Sequence, residues 1–171
     1  ESLVLTEKQT SGRGRRGQAW TCPPGESIAA SLVLRPAGPI ALWGRLSLAA
    51  GLAVAETLDQ FSLSAEVKWP NDVWVKERKI CGILLESDPA FAVIGIGLNV
   101  NTQNFPEGLA HPATSIALET GTPVSREEVL VTMLERLSFR TRQIGSAFPE
   151  LLTAWNTRCV LRSRKITLQI N

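Results

Sequence analysis

The stretch from about Ile40 to Gln60 limits what this chain can fold into more than any other. It is rich in alanine and leucine and apolar on nearly all sides, so it reads as one long helix. A helix apolar on every face cannot lie on a surface, and it needs other elements packed all round it. Its most apolar run, Leu46 to Ala55, follows Arg45 and is too short to span a bilayer, which makes it a buried central helix. With 171 residues, 44% hydrophobic and 20% charged, the chain is long enough to build one globular core around that helix.

β-prone segments flank it. Leu3 to Gln9 reads as a strand, and Ile28 to Leu34 as a buried one. Val67 to Val75 reads as two short runs joined by a polar corner, Pro70-Asn71-Asp72. Lys76 to Arg78 forms a charged turn into a strand over Lys79 to Glu86. Phe91 to Val100 is a nearly continuous apolar strand, with Gly95 and Gly97 where something approaches the backbone closely. A long loop follows through Asn101 and Asn104 to Pro112. Ser125 and Glu128 make a capping box for a helix whose core face carries Val129, Leu130, Met133, Leu134, Leu137 and Ile144. Leu151, Leu152 and Trp155 suggest a further amphipathic segment. Strands followed by a helical run predict an α+β domain, a mixed and mostly antiparallel sheet with helices on one side.

Between the first two strands lies Gly12-Arg13-Gly14-Arg15-Arg16-Gly17. Its glycines let a backbone come close to a ligand, and its arginines supply fixed charge and donor forks for carboxylates and phosphates. A small-molecule anion site, a solvated basic loop and a nucleic-acid tail all fit that composition. The net charge of +2 is too small to argue for nucleic acid by itself. Gln9, the Lys68 to Asp72 corner, Lys79 and Asn99 interrupt otherwise apolar strand sequence, and strand ends converging on one sheet face would let them share a ligand. Gly82, three residues after Lys79, leaves room for that ligand against the strand. Each also has a plainer explanation: edge-strand charge for Lys79, turn chemistry for Asn71-Asp72, close strand packing for the glycines.

Three widely separated cysteines, Cys22, Cys81 and Cys159, argue for a reducing compartment and against a disulfide framework or zinc site. The lone histidine, His111, sits in a proline-containing loop and reads as a surface residue. Met133 is the only methionine, no signal-peptide pattern opens the chain, and Ile166, Leu168 and Ile170 begin an alternating strand at its end. Both ends are therefore expected to be cut. The expected division is a catalytic domain over 1–162 and the first strand of a small β-barrel over 163–171.

Taken together, Gln9 to Gly17, Trp20, Lys68-Trp69-Pro70-Asn71-Asp72, Lys79-Ile80-Cys81-Gly82-Ile83-Leu84 and Gly95-Ile96-Gly97-Leu98-Asn99 resemble the successive motifs of biotin protein ligases, in order and rough spacing. The resemblance covers nearly the whole chain, as a biotin/lipoate ligase-like (class II synthetase-like) catalytic domain. It implies an enzyme that joins biotin to ATP, releases pyrophosphate, and passes the biotinyl group from biotinyl-5′-AMP to a lysine of a biotin carboxyl carrier protein. By the same resemblance, biotin is contacted at Gln9, Gly12, Arg13, Gly14, Arg15, Lys79, Gly82, Gly95 and Gly97. The nucleotide is contacted at Arg15, Arg16, Trp20, Asn71, Lys79, Leu98 and Asn99. Lys79, Arg15 and Asp72 are the catalytic candidates. Mg²⁺ is implied alongside ATP, without a protein metal site identified; Asp72 either helps hold it or orients the acceptor lysine.

Edge-strand dimerisation and a cytoplasmic location without membrane association are further expectations. Two departures stand out. The family's Ser-Thr-Asn segment before the glycine loop is absent, and the barrel is represented only by its first strand. Rival readings are a lipoate ligase of the same fold, a nucleic-acid module using the arginine loop, and an inactive fragment that dimerises through a sheet edge.

Overall fold

A computed structural model describes residues 1–162 and 164–167, the Arg16 side chain excepted. Among them, six strands form one sheet: β1 (Ser2–Thr6), β2 (Ser27–Leu34), β3 (Glu66–Lys68), β4 (Asp72–Val75), β5 (Arg78–Asp88) and β6 (Phe91–Asn99). The strand order is β1-β2-β6-β5-β4-β3. Every named pair is antiparallel, and the parallel component is two isolated bridges, Val67 with Cys159 and Lys79 with Ala113. The expected strands are thus present, with ends shifted by a few residues.

The apolar helix is α1 (Arg45–Asp59), preceded by a 3₁₀ turn at Ile40–Leu42. Leu46, Ala49, Ala50, Leu52, Ala53, Val54, Ala55 and Leu58 are all inaccessible. The sheet covers one side of α1, while α3 (Arg126–Ser146) and α4 (Phe148–Arg158) cover the other. Each fully buried leucine contributes on the order of 1.5–3 kcal/mol to this assembly. The stretch Ile40–Asp59 is long and apolar enough to cross a membrane by composition, yet here it is the core helix.

Charged residues clamp the helical layer. Arg140 donates to both carboxylate oxygens of Glu56. Arg158 pairs with Asp59 at 2.5 Å and donates to the Ala65 carbonyl. Arg45 stacks 3.9 Å over Phe148 and donates to the Ile144 carbonyl at 2.9 Å. At the start of α3, the Ser125 hydroxyl accepts from the Glu128 amide. The hydroxyl in turn donates to the Glu127 carboxylate at 3.0 Å.

One short helix was not foreseen, α2 (Ile116–Thr120). Ser115 caps it by accepting from the Leu118 amide, and Gly121 ends it at φ +80°. At five residues it shows too little periodicity to be read from pattern alone. The expected terminal strand, Lys165 to Ile170, falls partly outside the described residues, and Arg164 to Thr167 carry no strand.

Candidate active site

Alternation along antiparallel strands sorts the sheet into two faces. The helix-facing side carries Ile28, Ala30, Ile94, Ile96, Leu98, Cys81, Ile83, Val73 and Val67. On the opposite face, one row crosses all six strands: Thr6, Ala29, Gly97, Gly82, Asp72 and Lys68. The row beside it contains Val4, Ser31, Gly95 and Leu84. The middle of the sheet is therefore almost bare of side chains, and its β3–β4 side is charged.

A cleft of about 370 Å³ lies over this floor, lined among others by Gln9, Arg13, Arg15, Asn71, Asp72 and Lys79. A second hollow of about 110 Å³ adjoins it, walled by Asn99, Thr102, Asn104, Phe105 and Leu109. Trp20, Lys79 and His111 line both.

Lys79 reaches this face because of a β-bulge. On a regular strand, Lys79 and Gly82, three residues apart, would point to opposite faces. The register shifts between Val73 and Trp74, so Val73 opposes Cys81 while Trp74 opposes Lys79. Ile80 is the extra residue, and it joins Cys81 in the core. The loop beyond pins the bulge, because the Lys79 amide donates to the Pro112 carbonyl at 2.8 Å and the Thr114 amide donates to the Lys79 carbonyl at 2.9 Å. The Lys79 ammonium lies 2.8 Å from Asp72 Oδ1, an ion pair without hydrogen-bond alignment.

The glycine–arginine loop folds as a tight turn over the cleft. Trp20 donates its amide to the Gly12 carbonyl at 2.9 Å, Gly14 donates to the Gln18 carbonyl at 2.6 Å, and Arg15–Gly17 makes a 3₁₀ turn. A Cβ on Gly12 would run into the Trp20 carbonyl oxygen and come within 2.9 Å of Gln9 Oε1, so only glycine fits. The Trp20 indole lies on Gly97 and Gly82; a methyl on Gly97 would overlap the ring. The indole nitrogen is buried against Gly97 and makes no hydrogen bond among the described residues. Arg13 spans the cleft to Glu86 at 3.3 Å.

Most of the expected residues converge. Gln9, Arg13, Gly14, Arg15, Trp20, Asn71, Asp72, Lys79, Gly82, Gly95 and Gly97 line the cleft, and Gly12 holds the loop that carries two of its arginines. Asn71 is partly structural, its side-chain amide donating to the Ile83 carbonyl at 2.8 Å. Asn99 is buried, donates to the Thr114 carbonyl and lines the second hollow, not the cleft. Leu98 does not join them. It is fully buried on the helix-facing side, because its neighbours in the alternation, Gly97 and Asn99, take the site face. The Arg16 side chain lies outside the described residues.

Three positions at or beside the cleft were missed. Glu86 shares strand parity with Gly82 and Leu84, which would have assigned it to the site face. Trp74 shares parity with Asp72; Lys68 sits 3.8 Å over its ring and His111 packs against it at 5.2 Å. His111 is exposed, as read from sequence, but it stands at the junction of both hollows. Partial desolvation lowers its pKa below the ordinary value, Lys68 and Lys79 lower it further, and Asp72 opposes them. Burial likewise lowers the pKa of Lys68.

A bare sheet floor under an arginine-bearing glycine loop, with a lysine where two hollows meet, defines a cleft for a small anionic ligand beside a second one. Residues 1–101 match the family model of the Biotin/lipoate A/B protein ligase family, and the chain belongs to that family. It is 36% identical over 167 residues to the biotin–[acetyl-CoA-carboxylase] ligase of Paracoccus denitrificans, covering 91% of this chain and 69% of that protein. It is 36% identical over 141 residues to the bifunctional ligase/repressor BirA of Bacillus subtilis, covering 78% of this chain and 43% of that protein. A biotin protein ligase from Aquifex aeolicus, solved in complex with biotin and ATP, superposes with a TM-score of 0.83 at 31% identity, covering 92% of this chain and 68% of that one. The chain spans 43% of the length of BirA and 64% of the Mycobacterium tuberculosis biotin–[acetyl-CoA-carboxylase] ligase.

Proposed function

We propose that this chain is the catalytic part of a biotin–protein ligase. It activates biotin with ATP to biotinyl-5′-AMP and transfers the biotinyl group to a lysine of a carboxyl carrier protein. The observation that carries this reading is the meeting of two hollows at Lys79 over a floor of Ala29, Gly97 and Gly82. Beyond the Trp20 indole, the floor at Ser31 and Gly95 accommodates a flat, weakly polar ring system along the sheet, and the loop side supplies cations. The names of its relatives and the biotin- and ATP-bound A. aeolicus structure support the choice of substrates.

Joining a carboxylate to a phosphate brings two anions together, and fixed cations offset that repulsion and stabilise the charge of the transition state. In this reading Lys79 exchanges Asp72 for the reacting carboxylate and phosphate oxygens, and Arg13 and Arg15 hold the loop over them. Trp20 and Asn99 face the nucleotide, with Arg16 as a further contact. The folded loop keeps water from the mixed anhydride.

Among the described residues no cluster of three metal-ligating side chains occurs, and the cleft carboxylates are Asp72 and Glu86. That suits Mg²⁺ arriving with the triphosphate, since this ion is usually held by one or two carboxylates plus phosphates. Asp72 is the side chain to hold it, and the ion would neutralise phosphate charge. We further place the reaction in the cytoplasm, assign 1–162 to the catalytic unit, and take the edge strand β1, with Leu3, Val4 and Leu5 exposed, as the self-association surface.

Pyrophosphate exchange into ATP, measured with biotin, with lipoate and with neither, tests the reading. Exchange should require biotin and fall at least about 100-fold in Lys79→Ala. Exchange with lipoate in place of biotin would move the chain to the lipoate branch.

A further inference from the structure

Lys79 is turned into the cleft by an extra residue in its strand, so whatever fixes that bulge fixes the lysine. Slipping the β4–β5 pairing by one residue would send every side chain in the slipped part to the other face. The hairpin turn guards that register poorly. Its two central residues, Lys76 and Glu77, stand at φ +47° and +63°, a left-handed conformation that two-residue hairpins usually fill with asparagine or glycine. A second hold comes from α2, whose Glu119 carboxylate meets both sides of the bulge.

On the turn side, Arg78 Nη2 lies 2.6 Å from Glu119 Oε1, and Lys76 Nζ lies 3.1 Å from Oε2. On the loop side, the Thr114 hydroxyl donates to Oε1 at 2.6 Å. Thr114 is itself inaccessible and passes the hold on through its backbone. Its amide donates to the Lys79 carbonyl at 2.9 Å, and its carbonyl accepts from the Asn99 side chain at 3.0 Å. The Glu119 side chain is fully buried, where solvent and salt screen an ion pair far less than at a surface.

We propose that Glu119 is a positioning residue for Lys79, holding the bulge from the turn and from the Thr114 loop at once, an inference that rests on the ligase reading for the task Lys79 performs. The clamp grips backbone, so the ammonium stays free to exchange Asp72 for substrate oxygens. The same Thr114 sets Asn99 at the second hollow. One carboxylate outside both hollows thereby orders a side chain of each. A displacement of about 1 Å at a reacting group changes a rate by about 100-fold, so a clamp on the backbone reaches the chemistry.

The test is a double-mutant cycle read by biotin-dependent pyrophosphate exchange at saturating biotin and ATP. Glu119→Gln keeps the side-chain shape and removes the charge. It should lower kcat about 10- to 100-fold in the wild-type background and by less than about twofold in Lys79→Ala. Thr114→Val cuts only the arm to the loop, leaving Glu119 paired with Lys76 and Arg78. It should show the same dependence on Lys79, and Thr114→Ser, which restores the hydroxyl, should recover most of the rate. Where Glu119→Gln does not fold, the two Thr114 variants decide by themselves. Amide hydrogen exchange without substrates adds a reading independent of activity. The Lys79 and Thr114 amides should exchange at least about tenfold faster in Thr114→Val, while amides in the middle of α3 keep their wild-type rates.

Equal losses with and without Lys79, Thr114→Val as active as wild type, or an unchanged Lys79 amide would each overturn the assignment. Wild-type pyrophosphate exchange that does not need biotin would instead overturn the ligase reading, and the amide rates would then decide the clamp alone.

Discussion

Two glycines of one strand carry different burdens. A methyl on Gly97 would overlap the Trp20 ring, whereas one on Gly95 would meet only Leu84 atoms at 3.5 and 3.7 Å, ordinary contact. Gly97→Ala should therefore cost about 1–3 kcal/mol, because the indole must leave its seat. Gly95→Ala should change stability by no more than about 0.5 kcal/mol while weakening biotin binding, since its methyl enters the cleft floor. Urea unfolding midpoints and a biotin titration on both variants separate packing from ligand contact. Equal destabilisation by the two substitutions would refute the arrangement of Trp20 over the sheet.

The glycine–arginine loop is the element on which substrate access depends. Its own turns are closed by short-range backbone hydrogen bonds, and the side-chain tie from Arg13 to Glu86 is exposed and therefore weak. Such a segment opens locally at little cost. Trypsin should cut at Arg13, Arg15 or Arg16 well before the helical layer, and biotin with ATP should slow that cut several-fold. Cleavage unaffected by both substrates would count against closure over them. The bulge in β5 acts on the same site from below, because without the extra residue Ile80 the Lys79 side chain would turn toward the helices.

The whole fold is tied together by ion pairs that join distant segments, which gives its stability a definite pH dependence. The Glu119 carboxylate is fully buried; it accepts from the Thr114 hydroxyl at 2.6 Å and pairs with Lys76 and Arg78. Burial alone would raise its pKa, but the Thr114 hydrogen bond and the charges of Lys76 and Arg78 outweigh it, leaving it below 4.5. Glu7, bound by Arg126 and the Gly25 amide, is lowered as well. A carboxylate whose folded pKa lies below its unfolded one adds stability that is complete above the unfolded value. That stability is lost as pH falls through the folded value. Unfolding free energy should hold from pH 7 to about 5 and then drop. Glu119→Ala should cost about 1–3 kcal/mol at pH 7 and progressively less below pH 4. A variant whose deficit stayed constant with pH would show that the carboxylate charge is not involved.

Sequence alone determined the elements, apart from the five-residue helix α2, and pointed to the chemistry. The all-round apolarity of Ile40 to Gln60 required a buried helix, alternation marked the strands, and the glycine–arginine loop with Lys79 announced an anion site. These properties are local, since each is written in the period or composition of a short stretch. Tertiary structure decided which faces those residues share. Regular alternation would set Lys79 opposite Gly82, and only pairing with β4 and the Pro112 to Thr114 loop creates the bulge that turns it back. Leu98 belongs to the core and Glu86 to the cleft for the same reason of parity, once the register of β5 against β6 is fixed. His111 joins the site only because its loop returns across Trp74, a contact between segments far apart in the chain that no local pattern encodes.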